Sequence, residues 1–91
     1  MTSGGSLLGK KLPVAVAERT MHLALMALKT GDRRLASSRA VTAAVQAAVA
    51  SVNAPADVVR RAEAIVYEAR RVIQALVIAR AVKLGYYGRT A

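Results

Sequence analysis

The segment between Ala40 and Ala56 contains 17 residues and not one charged side chain. As a helix it places a valine stripe on one side and alanines on the other, so neither side resembles a solvated surface. Thr42, Gln46 and Ser51 interrupt it, which is not typical of a membrane span. We therefore expect a helix that neighbouring helices or molecules cover on most sides.

Alanine and valine also dominate the whole chain of 91 residues, with 20 Ala and 12 Val and neither Phe nor Trp. Alanine favours helix but buries little apolar surface, and burial contributes only roughly 25 cal/mol per Å². A chain this small with such a core is expected to borrow stability from neighbours. The absence of cysteine excludes disulfides, and a single histidine counts against a zinc site, so we predict no cofactor.

The spacing of apolar residues predicts an all-α fold, a small three-helix chain of helix-turn-helix hairpins with a long C-terminal helix. Pro13 suits the first turn of helix one and Gly31 its end. Ser37 or Ser38 is the expected N-cap of helix two. The expected core stripe of helix one consists of Val14, Ala17, Met21, Leu25 and Leu28.

Helix three is predicted to run from Pro55 to Leu84, where Gly85 ends it, a length of about 45 Å. Its apolar positions follow a heptad of Val58, Ala62, Ile65, Ala69, Val72, Leu76 and Ala79.

The pattern changes after Leu76. Arg80 and Lys83 fall on the continuation of the apolar stripe, whereas Ile78 and Val82 fall on the continuation of the charged face. Because burying an unpaired charge is costly, we expect the last turns to project beyond the chain's own bundle. Ile78 and Val82 would then be exposed in one chain and covered by another.

The organisation expected around these helices is a flexible basic tail over 1–12, one helical domain over 13–84 and an aromatic, basic tail over 85–91. The order of charge and apolar residues near the start does not fit a secretory signal. With no convincing transmembrane helix, the expected location is a virion, the cytoplasm or a nucleoid.

The formal charge is +9, and arginine outnumbers lysine ten to four. Such a surface favours nucleic acid, and the arginine fork suits phosphate, which predicts contacts to the backbone rather than base recognition. A merely solubilising surface and an anionic membrane remain alternatives. The predicted nucleic-acid-binding residues are Lys10, Lys11, Arg33, Arg34, Arg39, Arg60, Arg61, Arg70, Arg71, Arg80 and Lys83.

No residue pattern indicates catalysis. His22 is the only histidine, and its spacing from Glu18 is that of a surface contact within one helix. The five carboxylates do not cluster, and no phosphate-binding loop is present. We therefore predict that the protein is not an enzyme.

Together these features predict a structural protein that assembles with copies of itself and coats nucleic acid, with DNA favoured over RNA. In outline the architecture resembles that of helical virion coat proteins, an analogy of design only. The predicted subunit interface consists of Ala43, Ala47, Ala50, Ile78, Val82, Tyr86 and Tyr87.

Several other classes fit part of the sequence. A ribosomal or chromatin accessory protein explains the charge but not helix two. A pilin-like filament subunit with bound lipid explains helix two but not the arginines of helix three, and a helical adaptor or antitoxin is a further alternative. The scarcity of Asn, Gln and Cys suits either a heat-adapted source or GC-rich codon bias.

Overall fold

A computed structural model of the chain describes residues 12–85. It contains three helices, α1 (Val14–Lys29), α2 (Arg33–Ala50) and α3 (Ala56–Lys83), and within the described range there is no strand. The all-α prediction is confirmed. Because the connections span only 30–32 and 51–55, α2 runs antiparallel to both of its neighbours.

The start of α2 differs from the prediction. Gly31, at φ +85°, ends the first hairpin turn, and the Asp32 carboxylate accepts a hydrogen bond from the backbone N–H of Leu35 at 3.0 Å. An aspartate in this position satisfies one of the free donors at the helix start. The helix therefore begins about one turn earlier than expected, and Ser37 and Ser38 lie inside it.

The bounds predicted for α3 are confirmed to within a residue. Pro55 precedes its first turn in an extended conformation, with φ fixed by the ring and Asp57 two residues on. The helix ends at Lys83, and Gly85 adopts φ +90°, a conformation that side chains other than glycine rarely take.

Alanine fills most of the core. Of the 14 buried hydrophobic residues in the described range, the four that are not alanine are Val14, Met21, Ile65 and Val72. Helix α2 lies between the other two, packing along both α1 and α3, while α1 and α3 touch over a shorter stretch. Small side chains at the contact allow helix axes to approach closely.

The buried positions of α3 agree with the predicted heptad, whereas those of α1 differ in its second half. Ala24 and Ala27 are buried, while Leu25 is only half-buried and Leu28 is exposed. The reason is the close approach of α1 to α2, which favours methyl groups at the contact and leaves leucines at its rim.

Three residues expected at a subunit interface lie elsewhere. Ala43, Ala47 and Ala50 are 0 %, 0 % and 2 % exposed in the single chain and belong to its core. Their side of α2 is covered by α1 and α3, so it offers no surface to a second chain. An interface on α2 would have to use the opposite, valine side.

Candidate nucleic-acid interface

A groove rich in positive charge lies between the first turns of α2 and the last turns of α3. We call it the basic groove. It has a volume of about 590 Å³. Its lining consists of Arg33, Arg34, Ser37, Ser38, Ile73, Leu76, Val77, Arg80 and Lys83.

The relative lengths of the helices create this groove. Helix α3 has 28 residues and α2 has 18, so the last turns of α3 extend towards and past the start of α2. Leu76 still packs against the core, but Arg80 and Lys83 are exposed. The apolar stripe of α3 therefore gives way to basic residues where α2 no longer covers it.

A second groove lies between α1 and α3, and its charge is mixed. It is lined in part by Glu18, His22, Arg61 and Glu68. The Nε of Arg61 donates to Glu18 Oε2 at 3.0 Å, and its Nη2 donates to Oε1. These hydrogen bonds lower the pKa of the Glu18 carboxyl below its ordinary value, although burial opposes the shift.

This ion pair changes two sequence predictions. Glu18 was expected to contact His22, one turn along α1, but it pairs instead with Arg61 on α3. Arg61 was expected to contact nucleic acid, but its charge is already matched by a carboxylate on α1.

The outer face of α3 carries another part of the predicted set. Arg60, Arg70 and Arg71 are exposed there, as expected. The guanidinium of Arg71 lies 5.9 Å from the centre of the Tyr67 ring, and Arg70 shares a third groove with Glu63. Charge on this face is therefore partly balanced.

Three predicted nucleic-acid-binding residues remain. Arg39 is half-buried on α2. Lys10 and Lys11, like the predicted interface residues Tyr86 and Tyr87, lie outside the described residues.

All three helices leave large apolar side chains exposed. On α1 these are Val16, Leu23, Met26 and Leu28, between 37 and 48 % exposed, and two further surfaces near α2 and α3 are at least as exposed. The valine face consists of Val41, Val45 and Val49 on α2 and Val52 just beyond its end, which are between 48 and 58 % exposed. The C-terminal face consists of Ile78 and Val82 on α3 and Leu84 just beyond its end, which are between 51 and 57 % exposed. Ile78 and Val82 are thus exposed in the single chain, as expected.

The described residues contain no group of three His, Asp or Glu side chains close enough to hold a metal ion. In the same range no helix combines the length and hydropathy needed to cross a bilayer. The chemistry that the arrangement offers is recognition of anions by the basic groove and of apolar partners by the two apolar surfaces. No protein-family model matches the chain, and neither curated proteins nor solved structures give a match.

Proposed function

We propose that this protein is a non-enzymatic structural subunit that assembles with copies of itself and coats nucleic acid, with DNA the favoured form. The observation that carries the proposal is the distribution of side-chain size. Ten of the 14 buried hydrophobic residues of the described range are alanine, whereas large apolar side chains lie on the surface of all three helices.

This distribution leaves much of the available hydrophobic stabilisation unused in the single chain. Full burial of one valine contributes about 1.5 kcal/mol or more. Each residue of the valine face still exposes about half of its surface. Covering all four would therefore contribute about 3 kcal/mol, a large amount for a chain with so small a core.

The two apolar surfaces lie towards opposite ends of the bundle. The valine face runs to the end of α2, where α3 begins, and the C-terminal face lies at the far end of α3. Contact between two different surfaces is a head-to-tail arrangement, which generates rings or open helical filaments. A filament is the form that suits a coat along nucleic acid.

The charge supports the nucleic-acid part of the proposal. An excess of nine positive charges in a chain of 91 residues favours polyanions and resists close packing of subunits without counter-charge. Phosphate groups of DNA would supply that counter-charge along an assembly.

A second candidate is a small nucleic-acid-binding accessory protein that acts as a monomer or dimer. The basic groove favours it, because its lining comes from one chain and needs no assembly. The exposed valine face does not favour the monomeric form, since a monomer leaves that face uncovered.

Light scattering of the purified full chain, before and after nuclease treatment, distinguishes the candidates. A coat subunit forms large particles containing nuclease-protected nucleic acid. An accessory protein becomes a monomer or dimer once nucleic acid is removed, which would refute the coat proposal. Filaments insensitive to nuclease and free of nucleic acid would indicate a pilin-like subunit instead.

A further inference from the structure

We propose that the basic groove is the site that binds the phosphodiester backbone of nucleic acid. The inference rests on the proposed function and locates it at one site, whereas the overall charge would allow contacts anywhere on the surface.

The first argument is the balance of charge in each groove. The basic groove is lined by four cations and no carboxylate. The groove between α1 and α3 has Glu18 and Glu68 against Arg61, and the third groove has Glu63 against Arg70. Positive potential is therefore concentrated at the basic groove, where nothing in the lining neutralises it.

The second argument is the position of two of these cations on their helix. Arg33 and Arg34 occupy the first turn of α2, which has no acidic residue among its first helical positions. The start of a helix carries a partial positive charge, so cations there are locally unfavourable. The Asp32 carboxylate already caps this helix start, so the attraction for an anion rests mainly on the two guanidinium groups.

The third argument is the variety of donors around the groove. Arg80 and Lys83 approach from α3, while Ser37 and Ser38 contribute hydroxyl groups from α2. Guanidinium groups bind phosphate with two parallel hydrogen bonds, and hydroxyl and ammonium groups add further donors. The apolar floor of Ile73, Leu76 and Val77 offers no base-edge recognition, so binding should be independent of sequence.

The concave shape favours a nucleic-acid backbone over a membrane. A membrane-binding surface typically sets Trp, Phe or Leu beside its basic residues on one convex helix face. The chain has neither Phe nor Trp, and the one leucine in the lining, Leu76, is half-buried against the core. A narrow phosphodiester chain fits along the groove between the two helices better than a flat bilayer does.

The test measures binding of a fluorescently labelled 20-base-pair duplex to the full chain across a salt series. The groove variant combines Arg34→Gln with Arg80→Gln. The control combines Arg60→Gln with Arg70→Gln on the outer face of α3 and changes the net charge equally. For the groove variant we expect the slope of log K against the logarithm of the salt concentration to become shallower by about 1.8, the value for two lost phosphate contacts. The control should change it by less than half as much.

A thermal melt of each variant shows whether a loss of DNA binding is caused by a loss of folding. All four replaced side chains are exposed, and Arg34 lies in the first turn of α2, where a positive charge does not stabilise a helix. The groove variant should therefore melt no lower than the wild type, so that lost binding reports the site and not the fold.

The outcomes separate this inference from the proposed function. Equal losses in both variants would overturn the groove as the site while leaving a nucleic-acid coat in place. Tighter binding to anionic lipid vesicles than to DNA, lost in the groove variant, would assign the groove to a membrane and overturn the inference. Absence of wild-type binding to any DNA or RNA at about 50 mM salt would refute both.

Discussion

The sharpest test of self-assembly is a glutamate at Val45, in the middle of the valine face. This side chain is 58 % exposed, so the single chain tolerates a charge there. In an interface that covers it, the substitution removes about 0.9 kcal/mol of valine burial and traps an unpaired charge costing several kcal/mol. A total of about 3 kcal/mol or more raises the concentration needed for assembly at least about a hundredfold.

The assay is size-exclusion chromatography with light scattering after nuclease treatment, over a range of protein concentrations. Helical circular dichroism should match the wild type, because the valine face makes no part of the core. Gln74→Glu, an exposed change on α3 of the same charge, is the control and should assemble normally. If the Val45→Glu protein assembles at wild-type concentrations, the valine face is not an interface and the reasoning fails.

The same substitution at Ala47, two residues along α2, should have a different consequence. Ala47 is fully buried between helices, so a glutamate there places charge and volume in the chain's own core. The stability of so small a core is only about 3–5 kcal/mol, and the variant should lose its helical structure altogether. A folded but monomeric Ala47→Glu protein would instead support the interface originally expected at that alanine.

Three further results follow from the contacts of single residues. Asp32→Ala removes the N-cap of α2 and should lower the free energy of unfolding by about 1 kcal/mol in a denaturant titration, and an unchanged midpoint would contradict the cap's role. Arg61 lowers the pKa of Glu18 in the folded chain. The ion pair therefore stabilises the fold at a pH above about 4.3, the pKa of a glutamate in the unfolded chain. This stabilisation is lost as the pH falls through the lower pKa that Glu18 has in the folded chain. The melting temperature of the wild type should thus fall with acidification more than that of Glu18→Gln, with Glu63→Gln behaving like the wild type. Truncation after Leu76 should preserve most helical circular dichroism yet abolish assembly in nuclease-treated protein, and either an unfolded or a normally assembling product would contradict it.

The three helices and the bounds of α3 could be predicted because proline, glycine and heptad spacing all agree there. The apolar residues of the stripe from Ala62 to Val72 are spaced by three, four and three positions. The charged residues of the segment all lie outside this stripe. No competing arrangement of that segment buries an apolar face.

The orientation of α2 could not be predicted from hydropathy, because both of its faces are apolar. Five of the seven alanines from Ala36 to Ala50 repeat in steps of four, three, four and three, the heptad spacing that keeps one face against its neighbours, and these five are the buried ones. Valines at Val41, Val45, Val49 and Val52 repeat less regularly. A helix packed between two others favours small side chains at both contacts, so the larger size of the valines did not indicate the buried face. The regular spacing of the alanines was the better indicator.

The groove shows a different limit of sequence reasoning. Arg33 and Arg34 were identified as candidates for phosphate contact, and so were Arg80 and Lys83, but nothing in their spacing indicated that the two pairs meet. Their proximity depends on the antiparallel order of α2 and α3 and on the extra length of α3. Conversely, only the structure shows that Glu18 already engages Arg61, an arginine that the sequence does not distinguish from those of the groove.

Because the basic groove lies beside the C-terminal face, we expect assembly and nucleic-acid binding to depend on each other. Both lie at the end of α3, so a subunit that covers this apolar surface brings the cations of the groove close to a second chain that is itself strongly positive. Without nucleic acid that repulsion opposes assembly, and salt screens it, since the Debye length falls from about 10 Å at 0.1 M to about 3 Å at 1 M. Added salt should therefore promote assembly of the nucleic-acid-free chain.

With DNA present the effect of salt is reversed. Phosphates in the groove neutralise the repulsion at low ionic strength, so DNA should lower the protein concentration at which assembly begins, and by reciprocity assembly should tighten DNA binding. Raising the salt weakens the phosphate contacts steeply and removes that advantage. Light scattering over a salt series, with and without DNA, should thus give trends of opposite sign. Parallel trends would mean that the groove and the apolar surface act independently, even though they share one end of the molecule.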